Sequence, residues 1–109
     1  MPLRQREKVQ ALLREVAMTN AEIASIFIDI AEMLKLKKEN IFKIRAYEKI
    51  ARSIGELKEP VEKLVKENRT KEISGAGEAI AKKLTELAGT GKLAFYEKLK
   101  AEFPERIAR

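Results

Sequence analysis

The sequence predicts an all-α fold, a compact bundle of five to six short helices, and three observations predict it. Apolar residues recur at helical spacing almost throughout the chain. No run of four or more residues alternates apolar with polar in the β-branched manner of a strand. Thr, Asn, Pro and Gly punctuate the chain where helices would begin and end. A length of 109 residues suits one domain and leaves little room for two.

Taken in order, Leu3 to Val16 reads as a helix with Val9, Leu12, Leu13 and Val16 on one side. It forms a detachable N-terminal extension over residues 1–17, helical or mobile. Thr19-Asn-Ala-Glu22 has the pattern of a capping box, with Thr19 as cap and Glu22 reaching back. Behind it Ile23, Ile26, Phe27, Ile30 and Leu34 make a stripe that runs to about Leu36. The lysine-rich stretch Lys35 to Glu39 is a linker, and Asn40 is a cap for the next helix, Ile41 to about Glu56. That helix buries Ile44, Tyr47, Ile50, Ala51 and Ile54. Pro60 starts a short helix with Val61, Leu64 and Val65 inward. Residues 69–73 form a brief helical turn or the end of that helix, Glu78 opens a helix to about Ala88 that Gly89-Thr-Gly91 ends, and a last helix runs from Leu93 to Phe103 before Pro104. The expected domain is residues 18–103, with a tail over 104–109.

Composition narrows the chemistry. There is no cysteine and no histidine, which removes disulfides, thiolate or imidazole metal sites, and His-based acid–base catalysis. No metal site is expected. No stretch approaches the roughly 18 apolar residues of a membrane span, and the start lacks the pattern of a secretory signal. A soluble cytoplasmic protein is the expectation. The formal charge of +6 suits a polyanionic partner, and its distribution is more telling. Residues 18–34 carry −3, whereas residues 35–52 carry +5. The excess is a patch.

Gly75-Ala76-Gly77 sits between Ile73 and the apolar run Ile80, Ala81, Leu84. That frame reads as a helix-hairpin-helix. Glycines at the tight turn let a phosphate backbone approach closely, and the following helix N-terminus offers unpartnered amides and a positive dipole end. Such a hairpin grips backbone and reads no bases. A plain helix–helix turn would use the same glycines.

Three landmarks occur in order: residues 18–24 (Met-Thr-Asn-Ala-Glu-Ile-Ala), residues 40–51 (Asn-Ile-Phe-Lys-Ile-Arg-Ala-Tyr-Glu-Lys-Ile-Ala), and the hairpin followed by residues 88–93 (Ala-Gly-Thr-Gly-Lys-Leu). In them the chain from Met18 to about Glu102 resembles the N-terminal domain of family X DNA polymerases, the DNA polymerase beta group and its bacterial and archaeal relatives. The resemblance implies a helical unit that binds the 5′-phosphate side of a DNA gap in repair, in a nucleoid-associated prokaryotic setting, with the rest of a polymerase chain as a further partner. The chain has no room for that family's catalytic domain and is not expected to polymerise DNA by itself. By motif position the resemblance places a 5′-phosphate pocket on Lys43, Tyr47 and Lys71. It adds backbone contacts at Lys49, Lys92 and the hairpin Gly75, Ala76 and Gly77, with a monovalent cation on the hairpin carbonyls as the one cofactor. It also places on Lys83 the Schiff-base lysine of a 5′-deoxyribose phosphate lyase.

The residues themselves speak to part of this. Lys43 and Tyr47 fall one turn apart on one helix and can reach one phosphate, while Arg45, Lys49 and Arg52 lie on the other side, spaced to meet a second stretch of backbone. Lys83 lies at the edge of the Ile80/Leu84/Leu87 stripe. A lysine there is either a partly desolvated nucleophile or a side chain whose stem covers apolar surface. The chain departs from the family at Ala79, where a further pocket lysine would stand, at Ser74 in place of proline, and at Glu78, which suits the helix dipole but repels a phosphate. Three functional readings remain: a backbone-binding DNA module, a lyase acting through Lys83, and a helical protein-interaction module whose basic stretch serves solubility.

Overall fold

The computed structural model describes residues 18–103. The expected helix from Leu3 to Val16 and the tail over 104–109 lie outside the described residues. Within them the chain is all-helical, as its periodicity predicts. The helices are α1 (Asn20–Leu36), α2 (Ile41–Gly55), α3 (Val61–Lys66), α4 (Glu78–Thr90) and α5 (Ala94–Ala101), with a 3-10 turn at Thr70–Glu72 between α3 and α4. Among the described residues no helix is long and apolar enough to cross a membrane.

The starts of α1 and α2 follow from local chemistry. Thr19 Oγ1 accepts from the Glu22 amide at 3.1 Å while Glu22 Oε1 accepts from the Thr19 amide at 2.9 Å, a closed capping box. Asn40 Oδ1 accepts from the Phe42 amide at 2.7 Å. The start of each helix is thereby defined, and the α1–α2 turn between them is tight. The Glu39 amide donates to Leu34 O and the Lys38 amide to Lys35 O, each at 3.0 Å. Lys38 takes the left-handed conformation, φ 58°, at the position glycine usually fills in such a motif. The end of α3 repeats the arrangement with Asn68 at φ 57°.

The core is one apolar cluster. α1 contributes Ile23, Phe27, Ile30 and Leu34; α2 contributes Ile44, Tyr47, Ile50 and Ile54; Val61, Leu64, Ile73, Ile80, Leu84 and Leu87 complete it toward α3 and α4. Each large side chain buried here is worth about 1.5–3 kcal/mol over exposure, and no polar side chain is buried with them among the described residues. Helices this short are marginal alone, so this shared core holds them.

Polar clasps fix the shorter pieces. Asn20, the first residue of α1, donates from Nδ2 to Glu59 O and accepts on Oδ1 from the Val61 amide, both at 2.9 Å. It thus caps α3, whose own cap Pro60 offers no side-chain acceptor. Tyr96 donates its hydroxyl to Asp29 Oδ2 at 2.8 Å, tying α5 to α1. Arg69 gathers Glu59, Glu67 and Glu72, locking the 3-10 turn to the start and end of α3.

One boundary differs from expectation. Gly89 lies inside α4, which continues to Thr90. The stop is Gly91 alone, φ 77°, whose amide donates to Leu87 O at 2.8 Å. Thr90 Oγ1 accepts from the Lys92 amide at 3.1 Å, and Glu86 Oε2 accepts from the Ala94 amide at 2.7 Å, which starts α5.

Candidate nucleic-acid interface

The hairpin is built by Ile73, Gly75 and Gly77. Ile73 is buried, and its carbonyl accepts from the Ala76 amide at 3.0 Å. Gly75 sits at φ +90°, a conformation that side chains resist. Gly77 is the N-cap of α4 and gives it no side-chain cap. The first amides of α4 are therefore not covered by a capping side chain, unlike those of α1 and α2. Glu78 and Lys82 flank this end, 3.9 Å apart and both largely exposed, a pair worth little in water.

Lys49 reaches the hairpin from α2. Its side-chain stem passes 3.4 Å from the point where Gly75 would carry a Cβ. The exposed basic side of α2 and the glycine turn are thus one surface. Ala76 is half-buried and Gly75 and Gly77 are exposed, as are Lys43, Lys49, Lys71 and Lys92.

Two grooves run beside α4. One, of about 650 Å³, is lined by Lys71, Ala76, Gly77, Glu78 and Lys82 among others. It joins Lys71 to the hairpin. The other, of about 460 Å³, is lined by Glu78, Ala79, Lys82, Lys83, Glu86, Leu93 and Phe95. Glu78 and Lys82 line both. Lys43 and Lys92 line neither groove.

Tyr47 and Lys83 meet through Phe95. The Tyr47 ring stacks between Phe27, centroids 5.9 Å apart, and Phe95, 6.1 Å apart. Lys83 Nζ lies over the Phe95 ring, 4.9 Å from its centre, a cation–π distance. Tyr47 is only 6% exposed, and burial pushes its phenol pKa up. Among the described residues no side-chain nitrogen or oxygen is both buried and without a hydrogen-bond partner. The Tyr47 hydroxyl, which has no such partner among them, therefore reaches the surface at the edge of a buried ring.

The sequence alone gives Phe95 and Glu86 no role, whereas Lys82 stands out as the charge beside Lys83. Phe95 sits near the start of α5, and only the fold shows that it bridges Tyr47 to Lys83. Lys82 and Glu86 flank Lys83 in sequence, which was the available signal, but their placement in the grooves depends on how α4 packs.

Together these features define a small helical domain that presents a glycine hairpin, an uncapped helix N-terminus and a basic flank to a phosphate backbone. The sequence model of the helix-hairpin-helix domain matches residues 18–93, and the chain belongs to that family. Helix-hairpin-helix domains bind DNA without reading its sequence, and the hairpin geometry accords with that mode. No curated protein matches the chain.

Proposed function

We propose that the domain binds DNA at gaps, holding a 5′-phosphate, as the N-terminal part of a family X DNA polymerase acting in repair. The observation that carries this is the placement of Lys49 on Gly75, which joins the basic helix to the hairpin. The Tyr47 hydroxyl at the surface supports a phosphate contact there, with Lys43 one turn before it on α2. Lys71, in the hairpin groove, supports a second. Binding would rest on phosphate contacts and weaken steeply with salt. The Ile73 and Gly75 carbonyls each accept one amide and keep a second lone pair. They fit a monovalent cation by donor type, and such an ion would add positive charge facing the phosphate. The cytoplasmic, nucleoid-associated setting belongs to this reading.

The test is a comparison of gapped duplexes that differ only in a 5′-phosphate or a 5′-hydroxyl. Tighter binding to the phosphorylated gap is expected, and Lys71→Ala should narrow the difference. Equal affinity for the two would contradict the gap-end reading while leaving backbone binding intact.

A second reading follows from the groove at Lys83, where the lysine is half-buried over Phe95 with Glu86 alongside. Lys83 Nζ would attack C1′ of a 5′-deoxyribose phosphate and form an imine with loss of water. Glu86 would take a C2′ proton, the C3′–O bond would break to release 5′-phosphorylated DNA, and water would hydrolyse the imine to free the sugar product. Borohydride should trap the imine, and Lys83→Ala should abolish trapping. Equal trapping by the variant would remove Lys83 as nucleophile.

A further inference from the structure

The exposed side of α2 carries Arg45, Lys49 and Arg52 at i, i+4 and i+7, all exposed. Many cations of this domain are tied to carboxylates: Lys35 to Glu48, Lys37 to Glu102, Lys63 to Glu59, Lys66 to Glu62, and Arg69 to three glutamates. Among the described residues Arg45, Lys49 and Arg52 have no ion-pair partner. The one carboxylate of α2, Glu48, is drawn to Lys35 at 2.7 Å. A face kept merely soluble would tolerate interleaved acids, as α3 does with Glu62 and Lys66 at 3.1 Å. The face is also joined to the hairpin, since the Lys49 stem lies against Gly75.

We infer that Arg45, Lys49 and Arg52 form a second DNA-backbone contact, continuous with the hairpin and separate from the Lys43–Tyr47 side of α2. The inference rests on the DNA-binding reading above. Seven residues of helix advance about 10 Å, roughly the rise of three nucleotides along one strand. The face therefore fits an extended run of phosphates. An isolated phosphate would engage one of the three cations, whereas a strand crossing the hairpin onto α2 engages all of them. Because Lys43 and Tyr47 point to the other side, recognition of a 5′-phosphate should be independent of this face.

The experiment compares the parent with Arg45→Gln/Arg52→Gln and with Lys63→Gln/Lys66→Gln, which removes the same charge from paired lysines. Binding to a gapped duplex is followed by fluorescence anisotropy from low to moderate salt, with 5′-phosphate and 5′-hydroxyl forms. The arginine variant should bind roughly tenfold more weakly at moderate salt, with a log–log salt slope shallower by about two. Its ratio of affinities for the two gap ends should match the parent. The lysine variant should keep the parent slope and affinity. All four residues are exposed, so circular dichroism should show both variants folded. An arginine variant indistinguishable from the lysine variant overturns the second contact and leaves the hairpin reading standing. A lost 5′-phosphate preference overturns the independence of the two sides. A parent that binds no DNA overturns both readings, and binding of an acidic peptide in its place would make this face a protein contact.

Discussion

The aliphatic stem of Lys49 lies 3.4 Å from where a Cβ on Gly75 would stand, at a backbone angle of φ +90°. The contact is ordinary van der Waals distance and the lysine can yield, so the backbone angle decides what a substitution does. Gly75→Ala should cost about 1–2 kcal/mol from the left-handed strain. It should also weaken DNA binding beyond the loss of stability, because the hairpin would turn away from α2. Urea unfolding and a DNA titration on the same variant separate the two effects. An alanine variant with parent stability and affinity would remove the hairpin from the account.

Tyr47 allows a cleaner separation. Its ring is held by Phe27 and Phe95, and its hydroxyl has no protein partner among the described residues. Tyr47→Phe should therefore change stability by less than about 1 kcal/mol while narrowing the preference for a 5′-phosphorylated gap. A variant that keeps the full preference would place the phosphate elsewhere. Tyr47→Ala would not serve, since emptying an aromatic core site costs about 3–5 kcal/mol.

Lys38 occupies a left-handed position, φ 58°, at the end of α1. Lys38→Gly should stabilise the domain by about 0.5–1 kcal/mol, the relief of strain less the entropy a new glycine adds to the unfolded chain. Asn68→Gly, at φ 57°, should gain less, because asparagine tolerates this region. The two urea midpoints check the order.

How much of this was legible in the sequence depends on the range of the interaction. The Thr19/Glu22 box, the Asn40 cap and the stripes of α1 and α2 were readable because each is decided within one or two turns. The left-handed Lys38 was not, since a lysine in that place carries no signal without the Glu39 hydrogen bond to Leu34, while Asn68 carries the weaker signal of a residue that tolerates this region. Gly89 reads as part of a stop because glycine disfavours helix, yet one glycine costs only about 1 kcal/mol there. At the site, periodicity put Tyr47 on the buried stripe of α2, and family resemblance put its hydroxyl at a phosphate. Both are compatible only because the ring is buried and the oxygen is not. That Phe95 joins Tyr47 to Lys83, and that Lys49 covers Gly75, are contacts between distant parts of the chain. Helical spacing assigns a side to each residue but not its neighbour across the core.

The Arg69 cluster sets an acid dependence. Hydrogen bonds from Lys63 and then Arg69 hold Glu59 below the ordinary carboxylate range, and Arg69 does the same for Glu72. A carboxyl whose folded pKa is depressed contributes stability above its unfolded value and loses it as pH falls through the folded one. With an unfolded glutamate at about 4.3, this contribution is complete at neutral pH and declines below about pH 4. Arg69→Ala should lower stability at neutral pH and flatten the acid decline. Parallel pH profiles for variant and parent, measured by urea unfolding, would show that the cluster contributes nothing.

Backbone recognition without base readout is the central claim, and the salt dependence of DNA binding tests it most directly. Affinity for several duplexes of unrelated sequence is measured across a salt series by anisotropy. Backbone recognition gives equal affinities within a few-fold and a linear fall of log affinity with log salt, with a slope of about 0.9 for each phosphate contacted. No binding at low salt, or a tight preference for one sequence that salt leaves unchanged, would contradict it.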